Sequence, residues 1–430
     1  MVKPRVVLPA VLLLFAACET DPPNTVTASV RDSAGVQLVT NTAPLWNAGD
    51  QWRLSAEPTL DIGTTAGAPE YELAGAHGPV RLSDGRIAVA NGQTDEIRFY
   101  DAAGNYIRSA GRSGEGPGEF SQLYRLRKFA GDSLLALNPI STTSIFTADG
   151  QYIRRFDLDP VPRRMNIWWT GWLSDGTLLA FSLVREGTRE RPGDDHGHII
   201  VPPKPPGYRD SLMHFLYDMQ GRLIDSIGKL PGQFLGEDRL VFVPNAAYAF
   251  HQDAFYHSPG DIIEIRRYKS LARERTAGDT SKGAVMRLER IVRLSTQELG
   301  VTDSMKQIFT RRRQARNESL KKTNPTIGPM LERELAETKF PETIPAHGQR
   351  MLADALGNIW LQNYSIDSDQ PESWKVFDAS GQWLGTVQMP ERFSVNEIGA
   401  DYVLGIGSDE FDVQHVRMYR LEKPAERTGR

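Results

Sequence analysis

Along most of the chain, short runs of alternating apolar and polar residues are separated by clusters of Gly, Pro, Asp and Asn. This pattern is typical of β-strands joined by tight turns. One unit recurs: an aromatic or apolar pair, the turn Asp-x-x-Gly, and a second short apolar run. It stands at residues 99–104, 216–221 and 376–381, with a variant at 146–150. Because Asp can cap its own turn and Gly accepts a positive φ, each copy predicts a β-hairpin.

Two further signals flank the hairpins. Upstream lies a turn followed by an apolar strand, as at residues 84–90, and downstream lies a connector that contains Pro and ends in an aromatic residue, as at residues 112–120. The order is therefore strand, turn, strand, strand, Asp-x-x-Gly turn, strand and connector. Four antiparallel strands in this repeated order are typical of one β-propeller blade.

Counting these units predicts six blades. Their expected ranges are 76–111, 121–157, 163–228, 239–294, 346–389 and 392–421. The last range ends on a third strand, whereas residues 52–62 precede the first connector, where a fourth strand should end. We therefore expect residues 52–62 to complete the last blade and close the ring, which removes its exposed strand edges. The predicted fold class is all-β, a six-bladed β-propeller closed by an N-terminal strand.

Two segments interrupt the repeat. Residues 185–210 are polar and rich in Pro, so they predict a long loop between the second and third strands of blade 3. Residues 295–340 predict a small helical insertion between blades 4 and 5, because Ser295 and Glu298 have the spacing of a capping box. Within this insertion, residues 330–339 would form a second short helix.

The N-terminus has the pattern of an export signal. Lys3 and Arg5 precede an apolar stretch, Val6–Phe15, that is too short to span the roughly 30 Å core of a bilayer as a helix. Small residues then precede Cys18, which resembles the cleavage site of bacterial lipoproteins, where the cysteine carries diacylglycerol. Cys18 is the only cysteine, so the chain has no internal disulfide and no cysteine left for catalysis.

The chain is therefore expected to divide into a signal peptide, a lipidated cysteine with its tether, the propeller and a tail. Their ranges are 1–17, 18–29, 30–421 and 422–430. The predicted location is the bacterial envelope, on the periplasmic or outer-membrane side, with a membrane contact through the lipid anchor. An ordinary secretory signal is the alternative. The formal net charge of −4 gives no general reason to expect nucleic acid as a partner.

Three segments together carry a resemblance to a known family. The residues are DSAGVQLV at 32–39, DGRIAVAN at 84–91 and GRSGEGPGEF at 111–120. With them, most of residues 30–421 resembles bacterial six-bladed β-propeller lipoproteins related to NHL-repeat proteins. The resemblance implies the propeller fold. It leaves the activity open, because such propellers bind proteins, RNA or small ligands and a few related ones are enzymes.

Basic residues recur in or beside the strands expected to line the propeller axis. They are Arg81, Arg125, Arg127, Arg163, Arg164 and Arg350, and His77 and His347 stand at similar positions. If several point inward, the channel suits a carboxylate, a phosphate or an acidic glycan, since guanidinium groups bind such anions through paired hydrogen bonds. The alternative is that each arginine pairs with a nearby acid or keeps its charge in water at a strand end.

A metal site is a weaker hypothesis, and no cofactor is predicted, although a divalent metal stays possible. Asp194, Asp195, His196 and His198 bring carboxylates and imidazoles close together in sequence. Their spacing matches no zinc signature, and they lie in the insertion at 185–210, so a solvated loop is the alternative. The chain contains no G-x-S-x-G, H-E-x-x-H or similar catalytic motif.

Three functions remain open. The leading hypothesis is a non-enzymatic binding or scaffold protein that holds an anionic small molecule, a glycan or an envelope protein at the channel mouth. The second is a propeller hydrolase or lyase, in which Asp, Glu and His side chains and a divalent metal meet at the same mouth. Residues from separate blades would leave no local motif. The third is a protein-docking platform, which a large exposed apolar patch would indicate.

Overall fold

The structure is a computed structural model. It describes residues 27–47, 49–64, 67–138, 142–161, 167–184, 189–190, 199–200, 211–232, 240–272, 284–295, 299–367 and 369–424. The strands up to the end of the third blade are β1 (Ala28–Ser33), β2 (Val36–Asn41), β3 (Arg53–Leu54), β4 (Leu60–Ile62), β5 (Ala76–Arg81), β6 (Ile87–Asn91), β7 (Glu96–Tyr100), β8 (Tyr106–Ala110), β9 (Arg125–Lys128), β10 (Leu134–Leu137), β11 (Thr142–Phe146), β12 (Tyr152–Asp157), β13 (Ile167–Trp172), β14 (Leu178–Val184), β15 (Arg189–Glu190), β16 (Ile199–Ile200), β17 (Ser211–Tyr217) and β18 (Leu223–Pro231).

The remaining elements contain two α-helices between the fourth and fifth blades. In chain order they are β19 (Ala247–His251), β20 (Ala254–Ser258), β21 (Glu264–Ala272), β22 (Ala284–Leu294), α1 (Asp303–Thr323), α2 (Gly328–Ala336), β23 (Met351–Ala353), β24 (Ile359–Gln362), β25 (Ser373–Phe377), β26 (Trp383–Gln388), β27 (Phe393–Ile398), β28 (Tyr402–Ser408) and β29 (Gln414–Glu422).

These strands form six blades. The blades are β5-β6-β7-β8, β9-β10-β11-β12, β13-β14-β17-β18, β19-β20-β21-β22, β23-β24-β25-β26, and β27-β28-β29 with β3 and β4. The first strands contact one another in succession: β13 contacts β19, β19 contacts β23, β23 contacts β27, β27 contacts β5, and β5 contacts β9. They therefore surround a common axis, and the predicted six-bladed β-propeller is confirmed.

The ring is closed by N-terminal residues, as predicted. β4 pairs antiparallel with β29, with Ile62 opposite Val416 and Leu60 opposite Met418, and β3 pairs with the end of the same strand. Leu60 and Ile62 are buried in a hydrophobic cluster shared by blades 6 and 1. The two ends of the propeller are thus joined by a strand pair and by buried apolar surface.

A second N-terminal hairpin lies on the outside of blade 4. β1 pairs antiparallel with β2, and β2 runs parallel to β22, so this sheet has six strands. Val39 of β2 is buried in the cluster that joins blades 4 and 5. The hairpin therefore covers the edge of blade 4 that would otherwise be exposed.

The Asp-x-x-Gly turns have the geometry that their residues predict. The Asp101 carboxylate accepts hydrogen bonds from the backbone N–H groups of Ala103, at 2.9 Å, and Asn105, at 2.8 Å. Gly104 has a φ of +89°, which an L-residue with a Cβ rarely adopts. The turns at 216–221 and 376–381 repeat these contacts.

Hydrophobic side chains fill the spaces between adjacent blades. Phe120, the aromatic residue that ends the connector at 112–120, is buried between blades 1 and 2, and its ring centroid lies 5.6 Å from that of Phe146. Burial of such a side chain stabilises the fold by about 1.5–3 kcal/mol. The connector aromatics therefore hold neighbouring blades together.

The helical insertion lies between blades 4 and 5, but it begins later than predicted. α1 starts at Asp303, and its N-cap is Thr302, whose hydroxyl accepts a hydrogen bond from the Met305 N–H at 3.3 Å. The predicted start at Ser295 was wrong, because Ser295 still belongs to the edge of blade 4. Its N–H donates to the carbonyl oxygen of Asn41 at 3.0 Å.

The other insertion, at residues 185–210, contains the short antiparallel pair β15–β16. Among the residues that the structure describes, no helix is both long enough and apolar enough to cross a membrane.

Candidate functional site

A cavity of about 550 Å³ lies on the propeller axis. Every blade contributes to its wall from its first strand. One such residue per blade is His77 of β5, Arg127 of β9, Thr170 of β13, Tyr248 of β19, Met351 of β23 and Ser394 of β27. We call this space the axial cavity. Its volume is in the range of small-ligand sites.

Strand alternation places polar side chains in the axial cavity. On β9, Arg125 and Arg127 both line the cavity, while Leu126 between them is buried in the core of blades 1 and 2. On β27, Ser394 lines the cavity and the next residue, Val395, is buried. Since successive side chains of a strand point to opposite faces, one face of each first strand can be polar while the other holds the core.

A glycine allows β5 to approach β9 closely. Gly78 has a φ of +57°, and a Cβ at this position would lie 2.3 Å from the carbonyl oxygen of Leu126. Only glycine fits such a contact without movement of the backbone. Gly78 therefore helps to hold His77 of blade 1 near Arg125 of blade 2.

The charge of the axial cavity is one-sided. Three arginines and one histidine line it, and none of the described lining residues is Asp or Glu. Arg350 makes an ion pair just outside the lining, with Nη1 3.3 Å from Glu372, and it also donates to the Ser394 hydroxyl at 2.8 Å. No ion pair or hydrogen bond joins the guanidinium of Arg125 or Arg127 to another described residue.

The pKa values of two of these groups are lowered first by burial and then by the neighbouring positive charges. Burial, with the nearby Arg125 and Arg350, lowers the pKa of Arg127 to about 9, while Glu397 acts in the opposite direction. Burial and Arg125 also lower the pKa of His77. A lowered pKa means that the protonated form is less stable here than in water. An anion in the axial cavity would offset that cost.

Blades 3 and 4 give the axial cavity an aromatic side. Phe181 and Tyr248 both line it, and their rings stack with centroids 5.8 Å apart at an angle of 24°. Trp168 stacks on Phe181 at 5.7 Å. The hydroxyl oxygen of Thr170, also in the wall, is buried and has no hydrogen-bond partner among the described residues.

The residues singled out in the sequence fall into three groups. His77, Arg125, Arg127 and Arg350 line the axial cavity. Arg81 and His347 do not. The remaining candidates lie outside the described residues: Cys18, Arg163, Arg164, Asp194, Asp195, His196 and His198.

Arg81 and His347 are occupied by contacts within the fold. The guanidinium carbon of Arg81 lies 4.7 Å from the centroid of the Tyr402 ring. His347 is buried, with Nε2 2.7 Å from the Ser258 hydroxyl and Nδ1 2.6 Å from the carbonyl oxygen of Gly348. His347 is thus part of the packing between blades 4 and 5.

A register shift explains why Arg81 differs from His77. Four residues apart on a regular strand, both side chains would share a face. On β5 the register shifts between His77 and Val80, so that His77 pairs with Ala90 but Arg81 pairs with Ile87. The bulge therefore reverses the alternation between the two residues.

Several lining residues were missed in the sequence. Ser394 could have been found by alternation on β27, once the strand was placed. Phe181 and Tyr248 give no such signal, because aromatic residues on strands are most often core residues.

The glycine-rich connector at 112–120 is filled by one of its own side chains. The Glu119 carboxylate accepts hydrogen bonds from the Gly116 N–H at 2.9 Å and from Arg112 at 2.7 Å. Elsewhere, no group of three or more His, Cys, Asp or Glu residues in the described ranges is placed to hold a metal ion.

The fold and its axial cavity define a six-bladed β-propeller with a basic central site. No protein-family model matches the chain, and no curated protein does. Similar solved structures include a protein of Bacteroides fragilis described as exported, 11% identical, covering 90% of this chain and 100% of that one with a TM-score of 0.45.

Two further solved structures are similar. A member of the DUF4221 family from Bacteroides vulgatus is 10% identical, covering 86% of this chain and 98% of its own, with a TM-score of 0.45. Virginiamycin B lyase from Staphylococcus aureus is 9% identical, covering 86% and 99%, with a TM-score of 0.37. At such values these similarities carry no argument about function.

Proposed function

We propose that this protein is a binding protein of the bacterial envelope that holds an anionic small molecule or glycan in the axial cavity, without chemical conversion. The observation that carries the proposal is the presence of three arginines and no carboxylate in the described lining of a cavity of about 550 Å³. Arg125 and Arg127 come from one blade and Arg350 from another, so the charge is assembled by the fold.

The ligand-free cavity keeps positive charges close together, which an anion would offset. Each guanidinium has five N–H donors in a planar fork, which match the two oxygens of a carboxylate or the oxygens of a phosphate. Arg350 is held in place by Glu372 and Ser394 through Nη1 alone. Its other donors, and those of Arg125 and Arg127, can therefore reach an anion in the axial cavity.

The test is isothermal titration calorimetry on the full-length protein in detergent, with citrate, inorganic phosphate and digalacturonate as probes. Arg127→Gln should weaken the binding of the best probe by about 10- to 100-fold, since a hydrogen bond to a charged group contributes about 1.5–3 kcal/mol. The control is Arg420→Gln, which removes a surface arginine whose side chain is 65% exposed.

Two results would count against the proposal. Equal affinity in Arg127→Gln and in the wild type would place any bound anion outside the axial cavity. Chemical conversion of a bound probe, detected by NMR of the mixture, would favour the hydrolase or lyase hypothesis instead.

The envelope location rests on the N-terminal sequence. We propose that cleavage before Cys18 leaves a cysteine that is lipidated and that tethers the propeller through residues 18–29. The test is fractionation of cells that express the wild type or Cys18→Ser, with the mass of the N-terminal peptide measured. Release of Cys18→Ser from the membrane fraction is expected, and an unlipidated N-terminal peptide in the wild type would overturn the proposal.

A further inference from the structure

The positive charge of the axial cavity is divided between two opposite sides. Arg125 and Arg127 belong to blade 2, and Arg350 belongs to blade 5. Because the blades follow chain order around a ring of six, blades 2 and 5 face each other across the axis. The two sides are close enough to interact, since Arg350 is among the causes that lower the pKa of Arg127.

Two arcs of wall join these basic sides. The arc on blades 3 to 5 is mainly apolar, with Thr170 and Gln349 as its polar members, and the arc on blades 1 and 6 is mainly polar, with His77, Ser394, Asn396 and Gln414. Phe181 and Tyr248 form the stacked aromatic part of the apolar arc. Met351 and Leu352 continue this arc on blade 5, beside Arg350. Apolar surface of this kind is stabilised when a ligand removes it from water.

One polar contact along this wall is also available to a ligand. The Thr170 hydroxyl is buried on blade 3 without a hydrogen-bond partner among the residues described. A buried hydroxyl without a partner is unfavourable by about 1–3 kcal/mol, so a bound water or a ligand acceptor is expected there. Thr170 lies on the first strand of blade 3, between the two basic sides.

We propose, on the basis of the anion-binding function above, that the ligand is a dicarboxylate with an apolar spacer. One carboxylate lies against Arg125 and Arg127, the other against Arg350, and the spacer lies along the wall that contains Phe181 and Tyr248. Two anionic groups are required because basic groups stand on both sides of the axis. We infer an apolar spacer because the arc of wall on blades 3 to 5 carries Phe181, Tyr248, Met351 and Leu352, whereas most polar lining residues lie on the other arc, on blades 1 and 6.

This arrangement predicts a dependence on ligand length. A dicarboxylate that is too short reaches only one basic side, and one that is too long must bend. A monocarboxylate of any length gains only one charged contact. The optimal dicarboxylate should therefore bind about 10- to 100-fold more tightly than the monocarboxylate of the same length.

The experiment is calorimetric titration of the full-length protein in detergent with unbranched dicarboxylates of increasing length and with monocarboxylates of matching length. Arg350→Gln should reduce the affinity for the best dicarboxylate to that for the matching monocarboxylate. Arg127→Gln should have a similar effect from the other side. Arg420→Gln is the matched control, and circular dichroism spectra establish that each variant is folded.

The outcomes separate this inference from the function on which it rests. Citrate or phosphate binding that depends on Arg127, without any preference for dicarboxylates or for length, would overturn the dicarboxylate and leave anion binding intact. Tighter binding of digalacturonate than of every aliphatic dicarboxylate would overturn the apolar spacer. Absence of binding for every anion would overturn both proposals. If Arg350→Gln does not fold, Arg350→Lys replaces it and should weaken the binding of dicarboxylates but not of monocarboxylates.

Discussion

Replacement of Arg127 by Met should stabilise the ligand-free protein and weaken its binding of anions. Arg127 shares the axial cavity with Arg125 and Arg350, and no described residue forms an ion pair with its guanidinium. Methionine keeps an unbranched apolar stem and removes the charge. Binding sites that gather side chains of the same charge often lower the stability of the ligand-free protein. Removal of one of these charges then raises the stability.

The magnitude follows from strand geometry. Arg125 and Arg127 are two residues apart on β9, which places their backbones about 7 Å apart. If the guanidinium groups keep a similar separation, two unit charges repel by about 0.6 kcal/mol in water and about 2.4 kcal/mol at an effective dielectric constant of 20. Attraction by Glu397 opposes this repulsion. We expect a net gain of about 1 kcal/mol in the free energy of unfolding, or about 1–2 °C in Tm for a chain of this size.

The dependence on pH has a definite sign. Folding lowers the pKa of Arg127 from its ordinary value to about 9, chiefly through burial and then through the nearby Arg125 and Arg350. Between these values the unfolded chain binds the proton more tightly, so the stability of the wild type rises with pH in that window. The destabilisation is fully present below pH 9. The gain from Arg127→Met should therefore be complete at pH 7 and should shrink above pH 9.

The assay is differential scanning calorimetry of the ligand-free protein at pH 7, in low salt and in about 0.5 M salt, where charge interactions are screened. Arg127→Lys is the control, because it keeps the positive charge and should show no gain. A lower Tm for Arg127→Met than for the wild type would refute the reasoning. So would a gain that is the same for both variants. The part of the gain that shrinks in high salt measures the charge repulsion, whereas the part due to burial does not depend on salt.

Three further predictions concern the closure of the ring, the packing of β5 and the titration of the site. Ile62→Ala should lower the free energy of unfolding in urea by about 2–4 kcal/mol, because Ile62 is buried at the closure, whereas the half-exposed Ile153→Ala should change it by less than about 0.5 kcal/mol. Equal effects would contradict a role for the closure in stability. Gly78→Ala should lower the free energy of unfolding more than Gly35→Ala. Both glycines have a positive φ, but only a Cβ at Gly78 would clash with the backbone of Leu126. Equal losses of stability in urea would contradict that close contact. The affinity for anions should rise as the pH falls from 7 to 5, because His77 becomes protonated. The pKa of His77 is lowered, so most of the rise should occur below pH 6.5. A rise that persists in His77→Gln would show that His77 is not its cause.

The blades could be predicted from the sequence because each is built from local hairpins. The turn at 99–104 contains its own capping Asp and its own Gly, so a few adjacent residues specify where two strands meet. The closure by residues 52–62 could also be predicted, because a last blade with three strands leaves an edge that the N-terminal strand fits. The basic character of the axis followed from the repeated position of arginines on first strands.

The first residue of α1 could not be chosen from the sequence alone. Ser295 and Thr302 are both acceptable N-caps, and local preference does not separate them. The choice is made by pairing with the N-terminal hairpin, because the Ser295 N–H is used by Asn41 of β2. That pairing joins residues far apart in the chain.

Only the tertiary structure decided which candidates meet in the axial cavity. A bulge on β5 turns Arg81 away from the face that His77 occupies, and no local signal reports that bulge. The aromatic side formed by Phe181 and Tyr248 depends on how blades 3 and 4 pack. The sequence by itself determined the repeating blade and the supply of arginines, since both follow from local spacing. Their division between opposite sides of one cavity depends on closure of the ring, which brings distant residues together.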